Sequence, residues 1–423
     1  MKEILDFFIK VNKLKEMPRT GWVLRQVKNP ETIAEHTFGV AMASWILAIK
    51  SKSKLNLTKI IKRSLVHDLC EVYAGDVTPF FYYIRDLPKN KKEREKFLRK
   101  YVRLLMVSKE GRGIEKSELE KKSLLKLIKN LNPEIKKEIF SSWKDFERRS
   151  SGEGNFARQI DKIETLLQAI EYFGTGENSF SSGWWEESEE FTEHPLLLNF
   201  LKVIEKKFYQ RGVHRNKRLE NILEFILHIF KLKKMPRLYW TAHRIKNPET
   251  VAGHVFTVAL MAWVLGREKK ELNMEKLLKM ALCHELSAVY TGDTIPYIKK
   301  LPKNIKKRRE VLKKWPRLPE DEKARRFLKE YKEEKEALFK LTANLEPNLK
   351  KEIIGLWDEY RRVSSLEARF LSQINNLAVL FQGLLYQKKY KGYFAHPLWE
   401  WAFEKCDDPV ILEFLQELDK KLS

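Results

Sequence analysis

Leu65-Val66-His67-Asp68-Leu69-Cys70-Glu71-Val72-Tyr73-Ala74-Gly75-Asp76 places one imidazole and three carboxylates within ten positions, His67 to Asp76. The residues ahead of it, Thr58 to Val66, repeat Ile, Leu and Val at helical spacing, which predicts a helix ending near His67 and Asp68. Continued as helix, Glu71 falls four residues after His67 and three after Asp68, on their face. Gly75 then supplies the turn, because it takes positive φ without a Cβ penalty. Histidine and carboxylates on a buried helix face are costly unless something satisfies them, and a divalent cation does so well.

The chain around this stretch has 423 residues, 43% of them hydrophobic, enough for two or three folded domains with a large core. No apolar run reaches the length of a membrane span, and Met1 to Lys10 is too acidic and too short for a signal peptide. Three cysteines argue against a disulfide framework, so a cytoplasmic protein is expected, with Cys70 and Cys283 as inert core residues. The formal charge of +24 comes from 82 basic residues interleaved with 58 acidic ones, as in Lys92-Glu93-Arg94-Glu95-Lys96. Such a mixed surface suits a protein working at high temperature better than a dedicated nucleic-acid face, so nucleic acid is the less favoured partner. Either way, the positive field attracts phosphorylated substrates.

Taken in order, the chain reads as helix after helix. Ile4 to Leu14 is amphipathic, and Met17 to Trp22 breaks it. Asn29-Pro30-Glu31 reads as a helix start, with an Asn cap and Pro in the first turn, opening a helix through Ile33, His36, Val40, Ala43 and Leu47. Asn132-Pro133-Glu134 opens another, and Phe156 to Phe173 forms a long helix containing Asp161. Sustained period-two alternation is missing, so the expected fold is all-α.

The chain then repeats itself. Leu14-Lys15-Glu16-Met17-Pro18-Arg19 returns as Leu232-Lys233-Lys234-Met235-Pro236-Arg237, and Lys28-Asn29-Pro30-Glu31-Thr32 as Lys246-Asn247-Pro248-Glu249-Thr250. Leu87-Pro88-Lys89-Asn90 matches Leu301-Pro302-Lys303-Asn304, and His194-Pro195 matches His396-Pro397. The expected organisation is two tandem helical domains, 1–210 and 219–423, joined by a basic linker at 211–218. On the His-Pro match, 33 positions separate Asp161 from His194 but 21 separate Asn375 from His396. This implies a loop 12 residues longer in the first copy, around the Gly/Ser-rich stretch Gly174 to Glu190 with Trp184-Trp185.

Duplication permits a comparison inside one chain. The first copy holds His36, His67-Asp68, Glu71, Asp76 and Asp161. The second holds His254, His284-Glu285, Ala288, Asp293 and Asn375, with Gly253 in place of Glu35. Apolar helix positions survive in both copies while the polar set erodes in the second. That divergence fits a functional site kept in one copy and relaxed in the other.

The ordered set His36, His67-Asp68 and Asp161 resembles the metal site of the HD-domain phosphohydrolase superfamily. The flanks Pro18 to Arg25, Ala34-Glu35-His36, Val66 to Glu71, Gly75 to Pro79, Trp143 to Glu147 and Gln159 to Lys162 are similar to its 5'-deoxynucleotidase branch. The resemblance implies one divalent transition metal held by His36, His67, Asp68 and Asp161. Mixed nitrogen and oxygen ligation suits Mn, Co, Fe, Ni or Zn better than Ca. It further implies that Glu71 acts in proton transfer, that Arg19 or Arg25 clamps the phosphate, and that Asp76 meets the sugar hydroxyls. Asp76 also counts among the expected catalytic residues. Glu164 and Gln168 share the helix face of Asp161 and read as supporting groups.

The expected activity is removal of the 5'-phosphate from (deoxy)ribonucleoside 5'-monophosphates, with a nucleotide as substrate and no membrane partner. Two other readings stay open. One is an HD-type phosphodiesterase or pyrophosphohydrolase acting on RNA ends or signalling nucleotides. The other is a nucleic-acid-binding protein on a retired hydrolase fold. Because members of this family tend to pair, the second copy is expected to serve as an intramolecular pseudo-dimer partner carrying a degenerate site.

Overall fold

The computed structural model describes residues 1–51, 54–77, 88–90, 93–94, 97, 109–175, 181–210, 216–296 and 301–422. Thr78 and Pro79, Leu87, residues 176–180 of the Gly/Ser-rich stretch and residues 211–215 of the expected linker lie outside them. The chain divides into two units, Asp6–Leu223 and Glu224–Ser423, the latter including Met1–Leu5.

Up to the division the helices are α1 (Lys2–Val11), α2 (Thr20–Leu24), α3 (Ile33–Ala48), α4 (Leu57–Val66), α5 (Glu71–Ala74), α6 (Lys109–Ile128), α7 (Pro133–Arg148), α8 (Gly152–Phe173), α9 (Ser181–Phe191) and α10 (Pro195–Ile204). Across and beyond it run α11 (Lys217–Ile229), α12 (Leu238–Ala242), α13 (Val251–Gly266), α14 (Met274–Cys283), α15 (Ala288–Thr291), α16 (Ile305–Lys314), α17 (Glu320–Leu341), α18 (Pro347–Arg362), α19 (Leu366–Lys389), α20 (His396–Lys405) and α21 (Pro409–Leu422). Among the described residues the only β features are two isolated bridges, Pro18 with Thr32 and Pro236 with Thr250. The all-α expectation holds. No described helix is long and apolar enough to cross a membrane.

Each unit is built round a mostly apolar helix that is buried on every side. All sixteen residues of α3 are buried, and so are all sixteen of α13. A helix hydrophobic all round belongs in the core rather than at the surface. In the first unit α4 and α8 pack on α3 and on each other, with α7 behind them. The polar residues of α3 and α8 are thereby forced to face one another inside the unit.

Two local expectations are corrected. Asn29 does not cap the central helix; it sits in a left-handed turn at φ 52°. Thr32 is the cap: its hydroxyl accepts from Glu35 N at 3.4 Å, and Glu35 Oε2 accepts from Thr32 N at 2.6 Å. This capping box satisfies two end donors reciprocally, and losing such a cap typically costs about 1 kcal/mol. Thr250 keeps half of it, accepting from Gly253 N at 3.2 Å.

Nor do His67, Asp68 and Glu71 share one helix. α4 stops at Val66, and residues 67–70 tighten into i→i+3 turns, with Leu69 N on Val66 O and Glu71 N on Asp68 O, both at 3.1 Å. The tighter winding rotates Glu71 out of helical register before α5 begins. Gly75 ends α5 at φ 74°, as its turn role requires, and Gly292 does so at φ 73° in the second unit.

α8 is held close to α7. Asn132 caps α7 through Ile135 N at 2.8 Å, with Pro133 first in the helix, and Ser151 caps α8 through Gly154 N at 3.0 Å. A Cβ at Gly154 would lie 2.5 Å from Asp145 O, so only glycine permits this approach. That contact sets the height at which Asp161 enters the unit.

The His-Pro match between the copies is also corrected. Gln159 Oε1 accepts from Glu193 N and His194 N at 3.0 Å, and Gln373 Oε1 accepts from Asp407 N and Asp408 N at 2.9 Å. His194 Nδ1 then caps α10 through Leu196 N, as Asp408 Oδ1 caps α21 through Val410 N. His194-Pro195 therefore corresponds to Asp408-Pro409. Asp161 to His194 and Asn375 to Asp408 both span 33 positions, and the extra loop vanishes.

Candidate metal centre

The segment before α3 is stapled backbone to backbone. Arg19 N donates to Glu31 O at 3.0 Å and Ile33 N to Met17 O at 2.9 Å. Trp22 Nε1 donates to Glu31 Oε1 at 2.9 Å, and Glu31 N to the Tyr172 hydroxyl at 2.9 Å. These bonds aim the half-buried Arg19 side chain at the end of α4. There its Nη1 donates to Asp68 Oδ2 at 2.8 Å. Asp76, turned back by Gly75, accepts from Thr20 N at 2.6 Å and stands 3.8 Å from Arg19 Nε.

Two buried imidazoles meet behind this pair. His36 on α3 and His67 at the end of α4 face each other Nε2 to Nε2 at 3.3 Å. Their other nitrogens are committed: His36 Nδ1 lies 2.6 Å from Glu164 Oε2, and His67 Nδ1 lies 2.6 Å from Ser64 O. Carboxylate and carbonyl oxygens only accept, so Nδ1 carries a proton in both rings, and in the neutral ring Nε2 is left with the lone pair. Asp161 Oδ1 adds a third acceptor 3.1 Å from His36 Nε2, and Asp68 Oδ2 stands 3.2 Å from His67 Nε2. Two imidazole nitrogens and two carboxylates facing one point make a place where positive charge, a proton or a metal ion, is favoured. His36, His67 and Asp161 each offer one atom, and all three lie within 4.8 Å of one another. The donor set thus fits a divalent ion bound through nitrogen and oxygen.

The charges of the metal-free site follow the same geometry, and a proton on His36 Nε2 toward Asp161 stands where a metal ion would replace it. Burial alone would raise Asp68 and Asp161. The neighbouring His67 and Arg19 outweigh it at Asp68, and the His36 hydrogen bond with Lys162 outweighs it at Asp161, so both stay below the usual carboxylate range. Burial would likewise lower His36, and Arg19 adds to that, yet Glu164 and Asp161 push it up to about 9. Glu71 behaves in the opposite way. Burial, then the Asp68 and Asp76 charges, hold it well above its ordinary value, and its Oε2 has no hydrogen-bond partner among the described residues.

Of the residues singled out in the sequence, Arg19, His36, His67, Asp68, Asp76 and Asp161 come together, with Glu71 within the same field of charges. Arg25 does not join them. Its Nη1 donates to Gly21 O at 3.0 Å, and its guanidinium lies 4.3 Å over the Trp184 ring. Sequence reasoning missed Arg158, which stands 3.8 Å from Asp161 Oδ2 and 3.1 Å from Glu147. Its position three residues before Asp161 on one helix was the available signal.

The second unit keeps the scaffold and changes the contents. Arg237 N bonds Glu249 O, Trp240 Nε1 bonds Glu249 Oε1 at 2.9 Å, and Leu238 N bonds Asp293 Oδ2 at 2.5 Å. Arg237 Nη1 reaches Glu285 at 2.6 Å and Asp293 at 3.1 Å. His254, His284 and Glu285 still offer atoms within 4.8 Å of one another, but Asn375 stands for Asp161 and Ala288 for Glu71.

An all-helical unit with histidines and aspartate converging between its core helices is the arrangement of a helical metal-site domain. The HD domain model matches residues 11–197 and 229–400, and the chain belongs to that family, carrying the domain twice. The 5'-deoxynucleotidase HDDC2 of Danio rerio is 31% identical over 208 residues, covering 49% of this chain and 88% of the relative. That of Dictyostelium discoideum is 33% identical over 177 residues, covering 41% and 78%. That of Homo sapiens is 29% identical over 171 residues, covering 40% and 69%.

Proposed function

We propose that the first unit removes the 5'-phosphate from nucleoside 5'-monophosphates, preferring deoxyribose, with one divalent ion held by His36, His67, Asp68 and Asp161. The observation that carries this reading is the convergence of His36 Nε2, His67 Nε2 and Asp161 Oδ1 beside Arg19 and Glu71. The names of the relatives support the choice of substrate class. When bound, the ion (Mn, Co, Fe, Ni or Zn) supplies positive charge that polarises phosphate and makes water more acidic.

The chain's own groups do the rest. Arg19, already paired with Asp68 and near Asp76, turns a donor toward the phosphate oxygens. Glu71, whose proton affinity burial and its acidic neighbours raise, gives its proton to the departing 5'-oxygen and recovers one from the attacking water. Asp76 lies beside Arg19, where a ribose hydroxyl would meet a carboxylate already committed to Thr20 N. Arg25 serves by bracing Trp184 rather than by touching phosphate.

A phosphate-release screen over ribo- and deoxyribonucleoside monophosphates, with each of the five metals, tests the proposal. Release from deoxynucleotides that depends on added metal and disappears in His67→Ala is the expected result. Release from none of them would overturn it.

A further inference from the structure

His36 and Glu164 are both fully buried, and their 2.6 Å contact leaves His36 Nε2 facing Asp161 and His67. The second unit shows what the same fold does without that carboxylate. The shared role of Gln159 and Gln373 fixes the register of α8 on α19, and in that register Glu164 becomes Ala378. His254 Nδ1 then finds Glu249 Oε1 only at 3.9 Å, beyond hydrogen bonding. Its Nε2 instead lies 2.7 Å from Asn375 Oδ1. An amide there, in either orientation, engages the nitrogen that a metal would need.

Glu31 provides the control. The Trp22–Glu31 bond and its counterpart Trp240–Glu249 are both 2.9 Å, so this carboxylate belongs to the fold and is kept in each unit. Glu164 is lost together with the Asp161 charge and Glu71, so it belongs to the site.

We infer that Glu164 is a positioning residue that holds His36 in its metal-ligating tautomer, and that Ala378 with Asn375 leaves His254 locked away from a metal. The inference rests on reading the first unit as a metal site. A carboxylate behind a ligating histidine typically changes metal affinity by about 10–100-fold. The reverse change also follows: Ala378→Glu with Asn375→Asp rebuilds the acceptor set in the second unit.

The test titrates Co²⁺ into chelator-stripped full-length protein, reading affinity by calorimetry and coordination by visible absorption. Wild type takes one Co²⁺ per chain, and Glu164→Ala weakens it about 10–100-fold. Glu164→Gln, whose Oε1 still accepts from Nδ1, recovers most of the loss, which a purely structural role would not predict. The double variant in the second unit raises the stoichiometry towards two. Wild-type affinity in a folded Glu164→Ala overturns the positioning role while leaving the metal site standing. A wild type that takes no Co²⁺ overturns the metal site itself. Should Glu164→Ala not fold, a folded double variant still binding a single Co²⁺ overturns the inference.

Discussion

His36 and His67 present their Nε2 atoms to each other at 3.3 Å, although neither can donate to the other while both Nδ1 atoms are committed. In the neutral rings this contact favours a cation between them, and in its absence a second proton on His36, shared with Asp161 Oδ1 at 3.1 Å, takes its place.

Arg19 and Arg25 separate cleanly. Arg19 contacts Asp68 at the site, whereas Arg25 lies over Trp184. Arg19→Ala is expected to lower kcat/KM by about 10²–10³, the usual loss for a donor that meets developing charge. Arg25→Gln loses a cation–π contact of roughly 0.5–2 kcal/mol in stability and changes kcat/KM less than tenfold. Steady-state kinetics beside thermal melts checks both. Equal kinetic losses would place Arg25 at the phosphate.

Burial and the Asp68 and Asp76 charges hold the Glu71 carboxyl well above its ordinary value, against the pull of Arg19. Glu71→Gln should lower kcat by about 10²–10⁴ while bound metal stays at the wild-type level. The wild-type rate should also fall as pH rises through the elevated Glu71 pKa, and that limb should disappear in the variant. A pH–rate profile with metal analysis decides this. An unchanged kcat removes Glu71 from proton transfer.

His243 occupies the position of Arg25 in the second unit, its ring 4.7 Å from Tyr239 and 5.1 Å from Tyr393. Burial, reinforced by the Arg309 charge, lowers it from 6.5 to about 4. Folding therefore favours the neutral ring. The contribution is complete above about pH 6.5 and is lost as pH falls through about 4, for a total of roughly 3 kcal/mol. Thermal melts from pH 7 to 4 should show the second unit weakening, and His243→Phe should flatten the decline. An equal acid slope in the variant would assign the effect elsewhere.

The repeat and the meeting of His36, His67 and Asp161 were legible because they rest on local signals. Caps such as Asn132-Pro133 and the turn at Gly75 fix their own neighbourhoods, and the histidines fall on runs that are apolar throughout. What failed was decided by backbone winding or by distant partners. His67 and Cys70 keep helical dihedrals, yet Leu69 and Glu71 bond i→i+3, so spacing alone ran one helix through a break between α4 and α5. Asn29 looked like a cap, but the bridge of Pro18 with Thr32 hands that role to Thr32. His396-Pro397 imitated His194-Pro195 in letters, while the hydrogen bonds of Gln373 choose Asp408. Arg25 and Arg19 differ only in where the stapled turn points them.

The central claim is that one metal-dependent site, in the first unit, does the chemistry. Asp161→Asn gives that site the residue the second unit has at Asn375, with almost no change in shape. Metal content and phosphate release from a deoxynucleoside 5'-monophosphate should be measured in the full chain for Asp161→Asn and for Asn375→Ala. The account predicts loss of bound metal and of phosphate release in the first variant, with wild-type values for both in the second. Retained metal and full activity in Asp161→Asn would contradict it.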